Sequence, residues 1–233
     1  MKIIFTPSHT ALKDYYPIPA KKSIPEWYKD LESYLTGKKV PNGRGGITST
    51  IKRCMPVFDI MTAGYLIPLH TDIFVSQKFD ENTGEIIPYY EWAGYNALEF
   101  HPLVQAPTHP DENGFTYPKL VNLWGIKTPP GYSVLITTPT HRDCAFSILP
   151  AIVDTDEYNA PIHFPFVLKD KTFEGLIPAG TPFAQIIPFK RDSWEMKIGE
   201  EEEQKKLKQD HLRITTHFWD TYKNVFRQKK EFN

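Results

Sequence analysis

The run Ile177-Pro178-Ala179-Gly180-Thr181-Pro182-Phe183-Ala184-Gln185-Ile186-Ile187-Pro188-Phe189 joins a Pro-Ala-Gly turn to a short apolar strand. Proline presets the turn backbone and glycine accepts its left-handed corner, so the chain reverses there and re-enters an ordered segment. The same grammar recurs upstream, where Pro129-Pro130-Gly131 precedes a strand at Ser133-Val134-Leu135-Ile136-Thr137. Further strands are read at Leu120–Trp124, Ser147–Val153 and Ile162–Leu168. Short strands at such regular spacing predict a mainly β chain, folded as a barrel or a sandwich.

Working outward, the latter part of Leu66–Val75 alternates as a strand does, and Gly84 supplies the turn before Ile86–Trp92, which predicts a β-hairpin. Residues 51–63, around Pro56, read as a helical turn leading into that region. Ser23-Ile24-Pro25-Glu26 has capping-box spacing, and Ile24, Trp27, Leu31, Tyr34 and Leu35 recur at helical intervals, so a short amphipathic helix is expected to end at Gly37. Pro41–Gly46 reads as a loop. After Ile198 the run Glu200–Glu203 followed by Lys205-Lys206 suits a helix start and its dipole. Leu207, Leu212, Ile214, Phe218, Tyr222, Val225 and Phe226 form an apolar stripe that requires cover from the barrel or from a neighbouring subunit. The expected organisation is an N-terminal helical and loop extension (1–62), a β-barrel domain (63–198) and a C-terminal helical tail (199–233).

Composition narrows the class without naming the function. The 233 residues carry a formal net charge of −1, which gives no global attraction to nucleic acid or to an anionic membrane. Twenty-one prolines, nearly twice the usual share of about 5%, together with 15 Phe, 12 Tyr and 5 Trp, predict short strands and loops packed on aromatics rather than disorder. Cys54 and Cys144 lie far apart and suggest neither a disulfide framework nor a thiolate zinc site. The apolar run after Met1 is too short for a signal peptide, and no segment has the length of a membrane span, so a cytoplasmic protein is expected.

Four segments, Ala63-Gly64-Tyr65, Ile126–Tyr132, Ala151–Tyr158 and Ile177–Gln185, resemble in that order the signatures of the dUTPase and dCTP-deaminase superfamily, over roughly residues 63–190. The resemblance implies a dUTPase-like β-clip barrel, here with an N-terminal helix and C-terminal helices added, and a homo-oligomer, a trimer by the assembly of the resembled barrels. It implies that Asp154 contacts a deoxyribose and orders the attacking water, that Tyr158 stacks on the sugar, and that Ala184-Gln185 faces a tight subunit contact. Tyr158, Arg142 and Gln185 are the candidate substrate-binding residues. Asp154 and Asp156 are the candidate ligands of Mg²⁺, the one cofactor an enzyme would need. An ordinary Asp-Thr-Asp turn is the equal alternative for that pair.

The departures from the family bear on activity. Thr140-His141-Arg142-Asp143-Cys144 stands where the enzymes have an Arg-Ser-Gly element that presents a hydroxyl and backbone donors to phosphate. One extra residue separates Asp154 from Tyr158, the charged tail replaces a Gly-rich closing arm, and the deaminases' catalytic glutamate has no counterpart in context. Arg142, His141 and Lys190-Arg191 could contact phosphate or simply be solvated strand-end charge. His101, His109 and Asp111 could bind a metal but read more simply as loop residues. Nearly the whole chain is also similar to uncharacterised tailed-phage proteins, through Ile24–Tyr28, Cys54-Met55-Pro56, Lys127–Ser133 and Val153–Asp156. The expected function is a non-catalytic, phage-encoded binding or structural protein, a virion or assembly component that binds itself and other phage proteins in the host cytoplasm or the particle. The alternative is a Mg²⁺-dependent deoxynucleoside-triphosphate pyrophosphatase that uses Asp154, with nucleotide as its partner.

Overall fold

The computed structural model describes residues 2–8, 14–36, 47–82, 84–94, 96–105, 117–216 and 220–232. Sixteen strands dominate them: β1 (Ile4–Pro7), β2 (Ile18–Pro19), β3 (Tyr34–Thr36), β4 (Ile47–Ser49), β5 (Tyr65–Pro68), β6 (Ile73–Asp80), β7 (Glu85–Trp92), β8 (Leu98–His101), β9 (Tyr117–Leu120), β10 (Trp124–Lys127), β11 (Tyr132–Thr137), β12 (Phe146–Ile148), β13 (Ala151–Val153), β14 (Phe164–Leu168), β15 (Gly175–Ile177) and β16 (Pro182–Lys190). Three α-helices accompany them, α1 (Glu26–Asp30), α2 (Met55–Thr62) and α3 (Glu201–Thr216). None is long and apolar enough to cross a membrane among the described residues.

The chain divides into two compact units, Met1–Ser23 with Ala63–Arg191, and Ile24–Thr62 with Asp192–Asn233. The expected break after residue 62 recurs, whereas residues 1–23 fall with the strand-rich unit and the later break follows Arg191 instead of residue 198. The first residues join the strand-rich unit because β1 pairs antiparallel with β10, and β2 with β5.

In the strand-rich unit a five-stranded sheet (β13-β11-β16-β5-β2), a four-stranded sheet (β12-β14-β9-β8), a three-stranded sheet (β15-β6-β7) and the β1-β10 pair are all antiparallel. They form no closed barrel among the described residues, and proline supplies part of the reason. The expected strand Ser147–Val153 is two strands, because Pro150 has no N–H for a ladder; β12 pairs with β14, and β13 crosses to β11 in another sheet. The expected strand Leu120–Trp124 also divides, at Asn122. Its side chain accepts from the Trp124 N–H at 3.0 Å and donates to the Trp124 carbonyl at 2.8 Å, an arrangement that replaces ladder bonds. The predicted hairpin forms with full register from Ile73↔Trp92 to Asp80↔Glu85.

The sheets share one core, whose centre is aromatic. Phe146 of β12 stacks on Phe183 of β16 at 4.1 Å between ring centroids, and Phe166 of β14 meets both rings edge-on. Tyr90 of β7 contacts Phe166 in the same edge-on way, so rings from three sheets meet in one cluster.

The second unit departs most from the sequence reading. The helix expected to run to Gly37 stops at Asp30, because Leu31 turns extended (ψ 131°) and Tyr34–Thr36 pair with Ile47–Ser49 instead. The Ser23 capping box does not form; Pro25 is the N-cap and has no side-chain cap bond. A five-residue helix gains little from cooperativity, so tertiary contacts carry it: Tyr28 is buried and donates its hydroxyl to the Lys52 carbonyl at 3.0 Å. Asp59 of α2 accepts from Arg227 at 2.6 Å and from Lys230 at 2.8 Å, which fixes the end of the tail, and Arg53 pairs with Asp220. Hydrogen bonds from Arg227 hold the Asp59 carboxyl below its ordinary pKa. No residue of α3 is buried, so Leu207, Leu212 and Ile214 lack the cover their stripe calls for, and Phe218 lies outside the described residues, as do Gly37 and the Pro41–Gly46 loop.

Gly64 explains why its position tolerates no side chain. Its φ is +67°, and a Cβ there would lie 1.9 Å from the Ile186 carbonyl oxygen on β16. Gly84, at φ +73°, has nothing within 4 Å of such an atom. Gly84→Ala should therefore lose only the left-handed penalty, about 1–2 kcal/mol. Gly64→Ala should lose that and an overpacking cost of about 1–3 kcal/mol more. Urea denaturation of both variants checks this; equal midpoint shifts would contradict the close approach of residue 64 to β16.

Candidate functional site

The strongest sequence candidate, Asp154-Thr155-Asp156, follows the edge strand β13 and is a tight turn, with Glu157 and Tyr158 donating their N–H groups to the Asp154 carbonyl at 3.1 and 2.9 Å. The segment is a turn and not extended strand, and its two carboxylates differ in exposure. The Asp156 side chain is 3% exposed and the Asp154 side chain 63%.

Opposite stands the Pro129–Gly131 turn between β10 and β11. The hydroxyls of Thr128 and Thr155 meet at 2.8 Å in the interior, the Thr128 N–H donates to the Thr155 carbonyl at 3.2 Å, and Lys127 Nζ donates to the Asp156 carbonyl at 2.6 Å. The Gly131 N–H donates to Asp156 Oδ2 at 2.8 Å. The β11–β16 register sets Tyr132 against Lys190, so the next residue, Arg191, arrives at this turn and donates its backbone N–H to the Gly131 carbonyl at 2.8 Å.

The Arg191 guanidinium then forks onto Asp156. Nη1 donates to Oδ1 at 2.7 Å and Nη2 to Oδ2. Nη1 also donates to Ser133 Oγ at 3.1 Å and lies 3.2 Å from Asp154 Oδ1, while Ser133 donates to that same oxygen at 2.6 Å. The bidentate, charge-assisted geometry is the strongest that these groups form. The hydrogen bonds from Arg191, reinforced by the Gly131 N–H, push the Asp156 carboxyl down to about 2, and the same pair raises the Arg191 pKa. The cation held between the two aspartates is thus a side chain of the protein itself.

The other candidates are spread out. Gln185, on β16, is fully buried; its Oε1 accepts from the Thr140 N–H and hydroxyl, both at 2.9 Å, and its Nε2 donates to the Ala63 carbonyl at 2.8 Å. Arg142 donates to the carbonyls of Thr140, Ala20 and Ser23 at 3.1, 3.2 and 2.7 Å, and burial lowers its pKa. Thr140, Arg142 and Gln185 therefore form a second cluster that ties the Thr140–Arg142 segment to the fold. Tyr158 instead lines a cleft of about 560 Å³ with Val121, Leu123, Val153, Ile162 and His163. That lining includes no Lys, Arg, Asp or Glu, and burial lowers the His163 pKa. His101 contacts Gln105 at 2.5 Å, whereas His109 and Asp111 lie outside the described residues. No group of three or more His, Cys, Asp or Glu side chains that could hold a metal occurs among the described residues.

Sequence reading raised Arg191 only as a possible phosphate contact and missed Ser133 and the Gly131 N–H altogether. The alternation of β11 and β16 was legible; the register that brings residue 191 to residue 131 was not. No protein-family model matches the chain, and no curated protein matches it.

A carboxyl whose folded pKa lies below its unfolded value of about 3.9 contributes stability above that value and loses it as the pH falls toward the folded pKa. For Asp156 the window runs from about 4 down to about 2. In Arg191→Gln the main cause of the depression is gone, so acid unfolding should begin at a higher pH than in the wild type, and the stability gap between the two should close toward pH 2. Circular dichroism across a pH series measures this. Superimposable acid transitions would contradict the assignment.

Proposed function

We propose that the chain is a non-catalytic binding or assembly protein, phage-encoded and acting in the virion or in its assembly in the host cytoplasm, built on an open variant of the dUTPase-like β-clip. The observation that carries this reading is the Arg191–Asp156 fork. A carboxylate whose two oxygens already accept from a guanidinium and a backbone N–H would have to give up that fork to bind Mg²⁺. The engagement of Gln185 and Arg142 with the protein's own backbone supports it further, since both stand where the resemblance would have substrate contacts. So does a cleft without cations, because a triphosphate needs its charge neutralised.

The pyrophosphatase reading keeps one specific support. Asp154 is largely exposed, and its turn leads into Tyr158 at the cleft. On that reading Asp154 orders water and Mg²⁺ supplies Lewis-acid stabilisation of the phosphate charge. Against it, each preorganised donor that is missing costs about 10²–10³ in rate, and two phosphate-binding elements are displaced.

Incubating the full chain with Mg²⁺ and each deoxynucleoside triphosphate, dUTP and dCTP included, should give pyrophosphate release and deamination at the buffer rate. Asp154→Asn should leave both the rates and the fold unchanged. Turnover that disappears in Asp154→Asn would make the enzyme reading the correct one.

A further inference from the structure

The segment between β16 and the end of α3 is uncovered. It is the later residues Arg227 and Lys230 that tie the chain to Asp59 of α2. Before α3, Trp194, Met196 and Ile198 recur every second residue and are 88%, 88% and 82% exposed. That interval places them on one side wherever the chain is extended. Ser193–Ile198 make no hydrogen bond among the described residues, so the backbone there is as unsatisfied as the edge of a sheet. Leu207, Leu212 and Ile214 of α3 are exposed as well, Leu207 and Ile214 on one side of the helix. Large apolar side chains presented this way mark a surface that works while covered.

We propose that a second copy of this chain covers residues 192–216, with the two segments packed antiparallel about a two-fold axis. The inference rests on the assembly reading above and names its contact. Two features choose this occupant. The first is size, since a contact that repeats large exposed side chains such as Trp194, Met196 and Ile198 on both partners approaches the roughly 800 Å² that each side gives to a standard protein interface. The second is charge. Helix α3 begins with Glu201, Glu202 and Glu203 and carries Lys205, Lys206, Lys208 and Arg213 after them, so four acids, counting Asp210, balance four bases. A balanced helix gives no pull toward a polyanion or a lipid surface. Its acidic start is complemented by its own basic continuation only when the partner runs the other way, and an isologous contact demands that self-complementarity. Antiparallel packing also opposes the helix dipoles. The trimer that the family resemblance implies would need a head-to-tail contact, which this charge pattern disfavours.

Sedimentation and light scattering of the full chain at micromolar concentration should give twice the single-chain mass, with Trp194 shielded from acrylamide in proportion to the associated fraction. Trp194→Glu/Met196→Glu alters only exposed side chains, so it should keep the wild-type circular dichroism and weaken association about 100-fold or more. Reversing Glu201, Glu202 and Glu203 to Lys should also give a monomer. Mixing that variant with one carrying Lys205→Glu, Lys206→Glu and Lys208→Glu should restore a dimer containing one of each. A wild-type chain that stays monomeric, a trimer, a dimer indifferent to Trp194→Glu/Met196→Glu, or charge variants that fail to rescue each other would each overturn the proposal. The turnover assay is read separately, so a monomer without turnover would remove this contact and leave the non-catalytic reading in place.

Discussion

The fork of Arg191 on Asp156, with the Gly131 N–H on the same carboxylate, joins three stretches of chain that are far apart in sequence. Asp156 lies in the turn after β13, Gly131 in the turn before β11, and Arg191 just past β16, and those strands are consecutive neighbours in one sheet. A single ionic group thus pins the same end of three strands. It can do so because the Asp156 side chain is 3% exposed and both of its oxygens accept hydrogen bonds, from the guanidinium and from the Gly131 N–H, so that its charge is met within the fold. The opposite stretch of β16 is fixed by other means. Gln185 satisfies Thr140 and Ala63, Phe183 stacks in the aromatic centre, and Ile186 sits against Gly64 so closely that only glycine fits.

This arrangement changes what the Asp-Thr-Asp motif means chemically. In an extended strand two aspartates at that spacing point the same way and invite a divalent cation. In the turn one is turned inward and neutralised by arginine, and the other is left at the surface with one oxygen held by Ser133. A catalytic pair draws its power from charge that is unmet until substrate arrives. Here the inner charge is met within the fold, and the cleft beside it offers aromatic and aliphatic contact without cations.

Much of the strand content was legible because strands write themselves in alternation and turns in Pro and Gly; the β6–β7 hairpin with Gly84, and β11 and β16, follow directly from those signals. Sheet membership was not. Whether Ser147–Val153 is one strand or two depends on which neighbour receives the ladder on either side of Pro150, and that is a long-range fact. The N-terminal helix was overextended for a related reason, since Tyr34 and Leu35 fit a helical face yet are claimed by β4. Asp154, Asp156 and Tyr158 stood out as residues, but their roles hang on Arg191, whose arrival at the Gly131 turn is set by the β11–β16 register. An arginine after a strand carries no local mark of the turn it will meet.

A double-mutant cycle between Arg191→Gln and Asp156→Asn, read by urea denaturation near neutral pH, tests the structural assignment of the aspartates most directly. If the fork is a fold-holding pair, each single variant is clearly destabilised, the double variant is little worse than either one, and a parallel cycle between Arg191→Gln and the more exposed Asp154→Asn shows a smaller coupling. Additive losses in the Arg191–Asp156 cycle, or an Asp156→Asn variant as stable as the wild type, would contradict the account and return both carboxylates to the list of groups available for chemistry.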